Sequence, residues 1–289
     1  MGLIAVPNMS EGRDVGRLQV LAEAIRAAGG TLVDVHSDPT HDRSVFTVAG
    51  SPDELVSSMV ALARASMHID LTQHQGVHPR IGALDVCPIV PHGSPLAEAI
   101  PVAIRTGREI SGSCGLPVYL YGAAASRPEA RELPDLRRGG LKALKRRARN
   151  ELPPDFGPRE IDDRTGVVCV GARDVLIAFN VWIGAPEETA KAIADEVRTS
   201  GGGLPGVRAL GLRLEEGVSQ VSMNLTAPRA TGVDAVYEKV KAAALRRGAE
   251  VIATELVGVP PQRFMPDPQR EAARLLRKPG RSLELALAG

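Results

Sequence analysis

Two of the six histidines, His74 and His78, stand four positions apart. On a helix that spacing would set both imidazoles on one face, where they could share a metal ion. Gly76 lies between them and Pro79 follows directly, and a residue before proline is pushed out of the α region. The pair is therefore expected on a loop, with no metal. A loop leaves His78 held by the fixed φ of Pro79, with Arg80 and Asp85 close by in sequence. An imidazole that titrates near neutrality is the usual general acid/base, a purely structural histidine being the other reading. A second cluster opens the chain, where Asn8, Ser10, Glu11 and Arg13 pack four hydrogen-bonding side chains into six positions, just before a helix. A helix start can hold a carboxylate or polar substrate group. Capping by Ser10 or Asp14, with Glu11 in the first turn, explains part of this cluster but not Asn8 and Arg13. No GxxxxGK[ST] or GxSxG pattern occurs, which sets aside P-loops and serine-hydrolase elbows.

These residues need elements to position them. Residues 2–6 read as a strand stopped by Pro7, and Val15, Leu18, Leu21 and Ile25 recur at helical spacing up to Gly29-Gly30. The β-branched runs 31–35 and 44–48 predict two strands, and Ser51-Pro52-Asp53-Glu54 is a capping box that opens a helix. Residues 83–90 read as a buried strand that Pro88 should make an edge or a bulged one. This is β-α-β-β-α-β, the ferredoxin-like order. A further helix (94–111) and strand (117–121) extend it. The second half repeats the order: a strand at 174–183, a helix opened by Pro186-Glu187-Glu188, a hairpin about Glu216-Gly217, a helix through Val236 and Val240, and a last strand at 250–257. The predicted fold class is α/β (α+β), with two ferredoxin-like βαββαβ subdomains, 1–173 and 174–289, their sheets facing and their helices outside. Two bare sheet faces are covered economically by packing on each other, which predicts a cleft between the halves. Residues 127–166 fit neither repeat. Within them, 137–149 carries seven Lys/Arg and no acid, read either as a solvated helix edge or as a dock for polyanions such as a polycarboxylate tail.

With 35 Lys+Arg against 34 Asp+Glu, the net charge of +1 gives no field that would draw nucleic acid or an anionic membrane. Aromatic residues make up 3%, too few for base-stacking platforms. The 44% hydrophobic content can build cores, but no apolar run approaches the roughly 20 residues of a membrane span. Three cysteines far apart suggest neither a disulfide framework nor a zinc site and point to a reducing, cytoplasmic setting.

The stretch His74-Gln75-Gly76-Val77-His78-Pro79-Arg80-Ile81-Gly82-Ala83-Leu84-Asp85-Val86-Cys87-Pro88 resembles the signature of glutamate formiminotransferases, and so does Val6-Pro7-Asn8-Met9-Ser10-Glu11-Gly12. Pro117-Val118-Tyr119-Leu120-Tyr121-Gly122, Asp155-Phe156-Gly157-Pro158, Gly171-Ala172-Arg173 and Leu176-Ile177-Ala178-Phe179-Asn180 follow in the family's order, so the likeness runs through essentially the whole chain. The resemblance implies transfer of the formimino group from N-formimino-L-glutamate to N5 of tetrahydrofolate, a co-substrate, giving 5-formiminotetrahydrofolate and glutamate. It implies two α/β subdomains around a substrate tunnel, a homodimer, no metal, and a cyclodeaminase supplied by a separate protein. His78 matches the catalytic histidine. Asn8, Glu11, Arg13, Arg43, Arg80, Asp85 and Tyr121 are the substrate-binding candidates. The folate segment is bounded by positions matching Gly157-Pro158 and Gly166, with Arg164 our own candidate for a carboxylate partner. The chain reads Asp34-Val35-His36 where vertebrate members read Asp-Val-Asp, and Ala123 replaces an acidic residue of some members. Two alternatives stay open: a relative using another one-carbon donor such as 5-formyltetrahydrofolate, and a catalytically silent binding module.

Overall fold

Strand β1 (Leu3–Ala5) halts at Val6-Pro7 and resumes as β2 (Asn8–Met9). Both pieces lie between the same two neighbours, β4 (Arg43–Gly50) and β5 (Leu84–Pro91), all antiparallel. With β3 (Thr31–Asp38) on the far side of β4, the order β3-β4-β1/β2-β5 is the ferredoxin-like one. The computed structural model describes residues 2–76 and 79–288. The chain divides into two compact units, Met1–Asp174 and Val175–Gly289.

Helices α1 (Val15–Ala27), α2 (Pro52–Ser66) and α3 (Leu96–Cys114) cover one face of the first sheet. α2 begins with the predicted capping box, Ser51 and Glu54 each bonding the other's backbone N–H. Ile25, Leu55, Met59, Leu62 and Ile110 are fully buried in one core with Phe46, Val48, Cys87 and Ile89. The strand expected at 117–121 is β6 (Val118–Gly122), but it reaches β5 only through β7 (Val168–Ala172), which the sequence reading missed. β7 is buried on both faces, so it lacks the alternation that marks a half-exposed strand.

That inserted strand corrects the edge reading of Pro88: β5 is an interior strand, paired on both sides, and its one register shift against β2 falls between Leu84 and Val86 rather than at Pro88. Val6 N–H donates to the Pro88 carbonyl at 3.0 Å, so the amide side of Pro88 faces the break at Val6-Pro7. The missing N–H falls where the neighbouring strand is itself interrupted, and the ladder tolerates it.

The unmatched stretch 127–166 folds onto the other face of β5, β7 and β6. Its helices α4 (Leu133–Leu136) and α5 (Gly140–Asn150) put Leu136, Leu144 and Ala148 into a core with Val86, Tyr119, Tyr121 and Cys169. Asp155 ties the segment down by accepting from Leu120 N–H at 2.7 Å and pairing with Arg127 at 3.0 Å. The basic run is only partly a solvated edge. Arg147 donates to the carbonyls of Asp135 and Leu136 at 3.0 and 2.6 Å, Lys145 pairs with Asp163 at 2.7 Å, and Arg146 and Arg149 are exposed.

The second unit orders β11-β8-β10-β9: β8 (Ile177–Ile183), β9 (Val207–Glu215), β10 (Val218–Leu225) and β11 (Val251–Val257). α6 (Glu187–Val197) and α7 (Val233–Leu245) give Ile193, Val197, Val236 and Val240 to its separate core. Both units thus have ferredoxin-like order, the first enlarged by β6 and β7. The cysteines are free, and burial pushes the Cys87 and Cys169 thiols up to about 12. Among the described residues no helix is long and apolar enough to cross a membrane.

Gly82 and Gly166 bridge backbone to backbone, and Gly166 has φ +68°. A Cβ on Gly166 would run into the Ile81 carbonyl, whereas Gly115, the left-handed cap of α3 at φ +69°, has open space. Gly166→Ala should therefore cost more than the about 1 kcal/mol of left-handed strain expected for Gly115→Ala. Urea midpoints of the two variants check this; equal losses would mean that the contact with Ile81 relaxes freely.

Candidate functional site

Three neighbouring strands bring together three of the predicted residues. Asn8 on β2 is in register with Val45 of β4 and Val86 of β5, which places Arg43 and Asp85 beside it. Asp85 has no exposed surface. Its Oδ1 accepts Ile81 N–H at 2.9 Å, and its Oδ2 accepts Arg43 Nη1 at 2.8 Å and a second guanidinium, that of Arg137 from the end of α4. Arg43 Nη2 donates to Asn8 Oδ1 at 2.9 Å, and Asn8 Nδ2 donates to the Val6 carbonyl at 3.0 Å, which fixes the amide's orientation. Burial alone would raise the Asp85 carboxyl, but Arg137, Arg43 and the Ile81 amide outweigh it and hold the group at about 2. Burial pulls the Arg43 guanidinium down and Asp85 opposes it, with Arg137 adding to the downward push.

A second cluster forms around Asp42, at the turn between β3 and β4, which takes the left-handed conformation at φ 48°. Asp42 Oδ1 accepts Gly12 N–H at 3.0 Å, and Oδ2 lies 3.2 Å from His74 Nε2. The Asp42 carbonyl accepts Arg80 Nη1 at 3.0 Å and faces His74 Nε2 at 2.9 Å, while Arg80 Nη2 donates to the His41 carbonyl at 2.9 Å. Gly76 N–H donates to His74 Nδ1 at 3.0 Å. The Gly76 amide requires Nδ1 to accept, and Arg80 Nη1 lies against both ring nitrogens. Burial, then the adjacent Arg80, lowers the His74 pKa and favours the neutral ring. Arg80 itself is drawn down to about 10, by burial and then by Arg43. Three loops meet here with no room for side chains: a Cβ on Gly12 would strike the Asp38 carbonyl and the Arg43 amide, and one on Gly76 the His41 carbonyl.

The expected loop at 74–79 agrees with His74, whose ψ of 135° is extended, but His78 itself lies outside the described residues. Glu11 is committed to the chain: Oε1 accepts the Arg13 and Asp14 amides at 2.9 Å each, and Oε2 pairs with Arg17 at 3.1 Å. Asp14 caps α1, as read from the sequence, but Ser10 does not, because its hydroxyl donates to the Gly82 carbonyl at 2.7 Å. Arg13 Nε donates to the Pro39 carbonyl at 2.7 Å. Tyr121 is buried on β6 with its phenol pushed up by desolvation and drawn back by Arg173. Arg164 is an exposed side chain on Asp70 at 3.1 Å. Gly157 (φ +86°) and Gly166 turn their open sides to the Leu116 and Ile81 carbonyls, so both glycines are already required by the chain's own packing. Pro158 follows directly and is exposed. Sequence reasoning missed Asp42 and Arg137. Their only visible signals were a polar turn before β4 and an arginine in a basic run. Among the described residues no three His, Cys, Asp or Glu side chains converge as a metal-holding group.

Removing the Asp85 charge would leave Arg43 and Arg137 facing each other, and breaking such a buried pair costs about 3–5 kcal/mol. Because the folded carboxyl is held near 2, below its ordinary value of 3.8, its stabilisation is complete above about pH 5 and is lost as pH falls toward 2. Asp85→Asn should be destabilised at pH 7 and should flatten the fall of stability between those limits, measured by urea unfolding across pH. An unchanged acid limb would assign the fall to other carboxylates.

Residues 2–173 match the family model described as the formiminotransferase domain, N-terminal subdomain, and residues 178–274 match the formiminotransferase domain. The glutamate formimidoyltransferase of Streptococcus pyogenes serotype M1 is 36% identical over 268 residues, which cover 91% of this chain and 90% of that protein. That of Thermoplasma acidophilum is 37% identical over 270 residues, covering 91% and 89%. The formimidoyltransferase-cyclodeaminase of Rattus norvegicus is 37% identical over 273 residues, 91% of this chain but 50% of that protein, so the chain spans about half the length of that relative. With one model matched in each of its two units, the chain belongs to the formiminotransferase domain family.

Proposed function

We propose that the protein transfers the formimino group from N-formimino-L-glutamate to N5 of tetrahydrofolate, releasing glutamate. The observation that carries this reading is the likeness to glutamate formimidoyltransferases along about nine-tenths of both chains. The chemistry needs little beyond positioning and one proton carrier. N5 attacks the amidine carbon, and the new N5–C bond gives a tetrahedral intermediate. Collapse breaks the bond from that carbon to the glutamate nitrogen. N5 loses a proton and the departing amine gains one, so a single imidazole can serve as base and then as acid. His78 takes that role in this reading. Gly76 and Arg80, two residues to either side of it in sequence, are both pinned, by His74 and by the Asp42 and His41 carbonyls. Asn8, Arg43 and Arg80 supply amide and cationic groups to the donor. Glu11, Arg13 and Asp85 act through the backbone and side chains they hold, and Tyr121 lines the same subdomain. The segment from Gly157-Pro158 through Arg164 to Gly166 receives the folate. Holding the two substrates together supplies much of the rate.

His78→Ala should leave folding and folate binding nearly intact and lower turnover by about 100-fold or more, the range for loss of a general acid/base. Turnover near the parent's would remove His78 from the mechanism. Activity measured with formiminoglutamate and, separately, with 5-formyltetrahydrofolate plus glutamate identifies the donor, and activity with neither would leave a binding module. Both ring nitrogens of His74 are engaged by Gly76 and Asp42, so activity should survive dialysis against a chelator. Loss that zinc restores would make His74 a ligand.

A further inference from the structure

Asp85 carries one negative charge and is met by two positive ones. Arg43 and the Ile81 amide already satisfy both oxygens, with Arg43 at 2.8 Å and the amide at 2.9 Å. The guanidinium of Arg137 then comes onto the same Oδ2, leaving this trio with a surplus positive charge beside a carboxylate that has no exposed surface. A second cation on a neutralised carboxylate adds repulsion between the two arginines, so the carboxylate alone does not account for it. The hydrogen bonding is also incomplete. Arg137 gives Asp85 one N–H, from Nη2, while its Nε–H is buried with no acceptor among the described residues. Guanidinium recognition of a carboxylate commonly uses two parallel N–H groups, and Asp85 takes only one.

The side chain is held in place from behind. Leu136, its neighbour, is fully buried, and Arg147 of α5 grips the carbonyls of Asp135, Leu136 and Arg138. An arginine on a fixed backbone, with surplus charge beside it and 20% of its side chain exposed, is placed to meet an anion.

We infer that Arg137 is a specificity-determining residue which, together with Arg43, receives a carboxylate of the amino-acid donor. The inference rests on the donor reading above. The choice of donor over folate follows from covalent distance. The α-carboxylate of formiminoglutamate lies within three bonds of the reacting amidine carbon, whereas the carboxylates of tetrahydrofolate lie beyond its p-aminobenzoyl group. Asp85 is reached through Ile81, directly after Arg80 and three residues beyond His78 in sequence.

The test uses the full chain and its Arg137→Gln and Arg137→Lys variants. L-glutamate, the product with the same two carboxylates, is titrated by calorimetry, and the Michaelis constants of both substrates are measured. Arg137→Gln should weaken glutamate binding and raise the Michaelis constant for formiminoglutamate by about tenfold or more, as for loss of a hydrogen bond to a charged group. The constant for tetrahydrofolate should stay within about twofold, and Arg137→Lys, which keeps the charge but not the fork, should fall between. L-glutamine and L-isoglutamine identify the carboxylate. One of them should bind the parent weakly, and Arg137→Gln should cost it nothing more. Unchanged glutamate affinity in a folded variant, or an equal rise for both substrates, would overturn the inference, and so would failure of both variants to fold, which would make Arg137 a structural prop. Formimino transfer by the parent chain is scored separately: its absence despite glutamate binding defeats the donor reading and leaves the carboxylate site standing.

Discussion

Asp85 is a carboxylate with no exposed surface that nonetheless keeps its charge, and the first unit is arranged around that requirement. A lone buried carboxylate would take up a proton; two guanidiniums and a backbone amide prevent it. Each partner is delivered by a different element. Arg43 comes from the start of β4, Ile81 from the loop entering β5, and Arg137 from the insertion across the sheet. Asn8 then orients the outer edge of Arg43 from β2, whose register with β5 shifts between Asn8 and Met9. The strand order, the break at Pro7 and the docking of residues 127–166 meet at this one charge.

Asp42 plays the complementary part for the backbone. It binds the loop before α1 through Gly12 and the loop before β5 through His74 and Arg80. The close approaches at Gly12 and Gly76 leave these loops little freedom to separate. Thus the chain on both sides of His78 in sequence is tied to groups that never leave the protein. The two loops are thereby held in place by carbonyls and a carboxylate of the protein itself.

Most of the element order was readable because it rests on local signals. The capping box at Ser51, the β-branched runs of β3 and β4 and the spacing of Val236 and Val240 each act within a few residues. β7 was hidden because a strand buried on both faces has no period-two pattern, and Pro88 misled because the break opposite it cannot be seen from β5 alone. In the site, Asn8, Arg43 and Asp85 were named individually, and the structure supplies their hydrogen bonds. Arg137 could not be singled out. Its partner is distant in sequence, and among seven Lys/Arg nothing in residue type separates those that turn inward from those that face water. Asp42 was equally silent, since its left-handed turn leaves no mark in composition.

The path of the insertion also sets an order of assembly. Synthesis delivers Arg43 and Asp85 well before Arg137, so the nascent chain passes through a stage in which the β3-β4-β1/β2-β5 sheet can close with its carboxylate paired to one arginine and still hydrated. Water leaves that carboxylate only when α4 and α5 arrive and lay Leu136 and Leu144 over Val86 and Cys169. Closing the long loop between Asp85 and Arg137 is entropically costly and slow compared with forming the local hairpin of β3 and β4. Dehydration of a single ionised group thereby becomes a late event of folding, and until it happens the half-assembled sheet keeps that charge within reach of water.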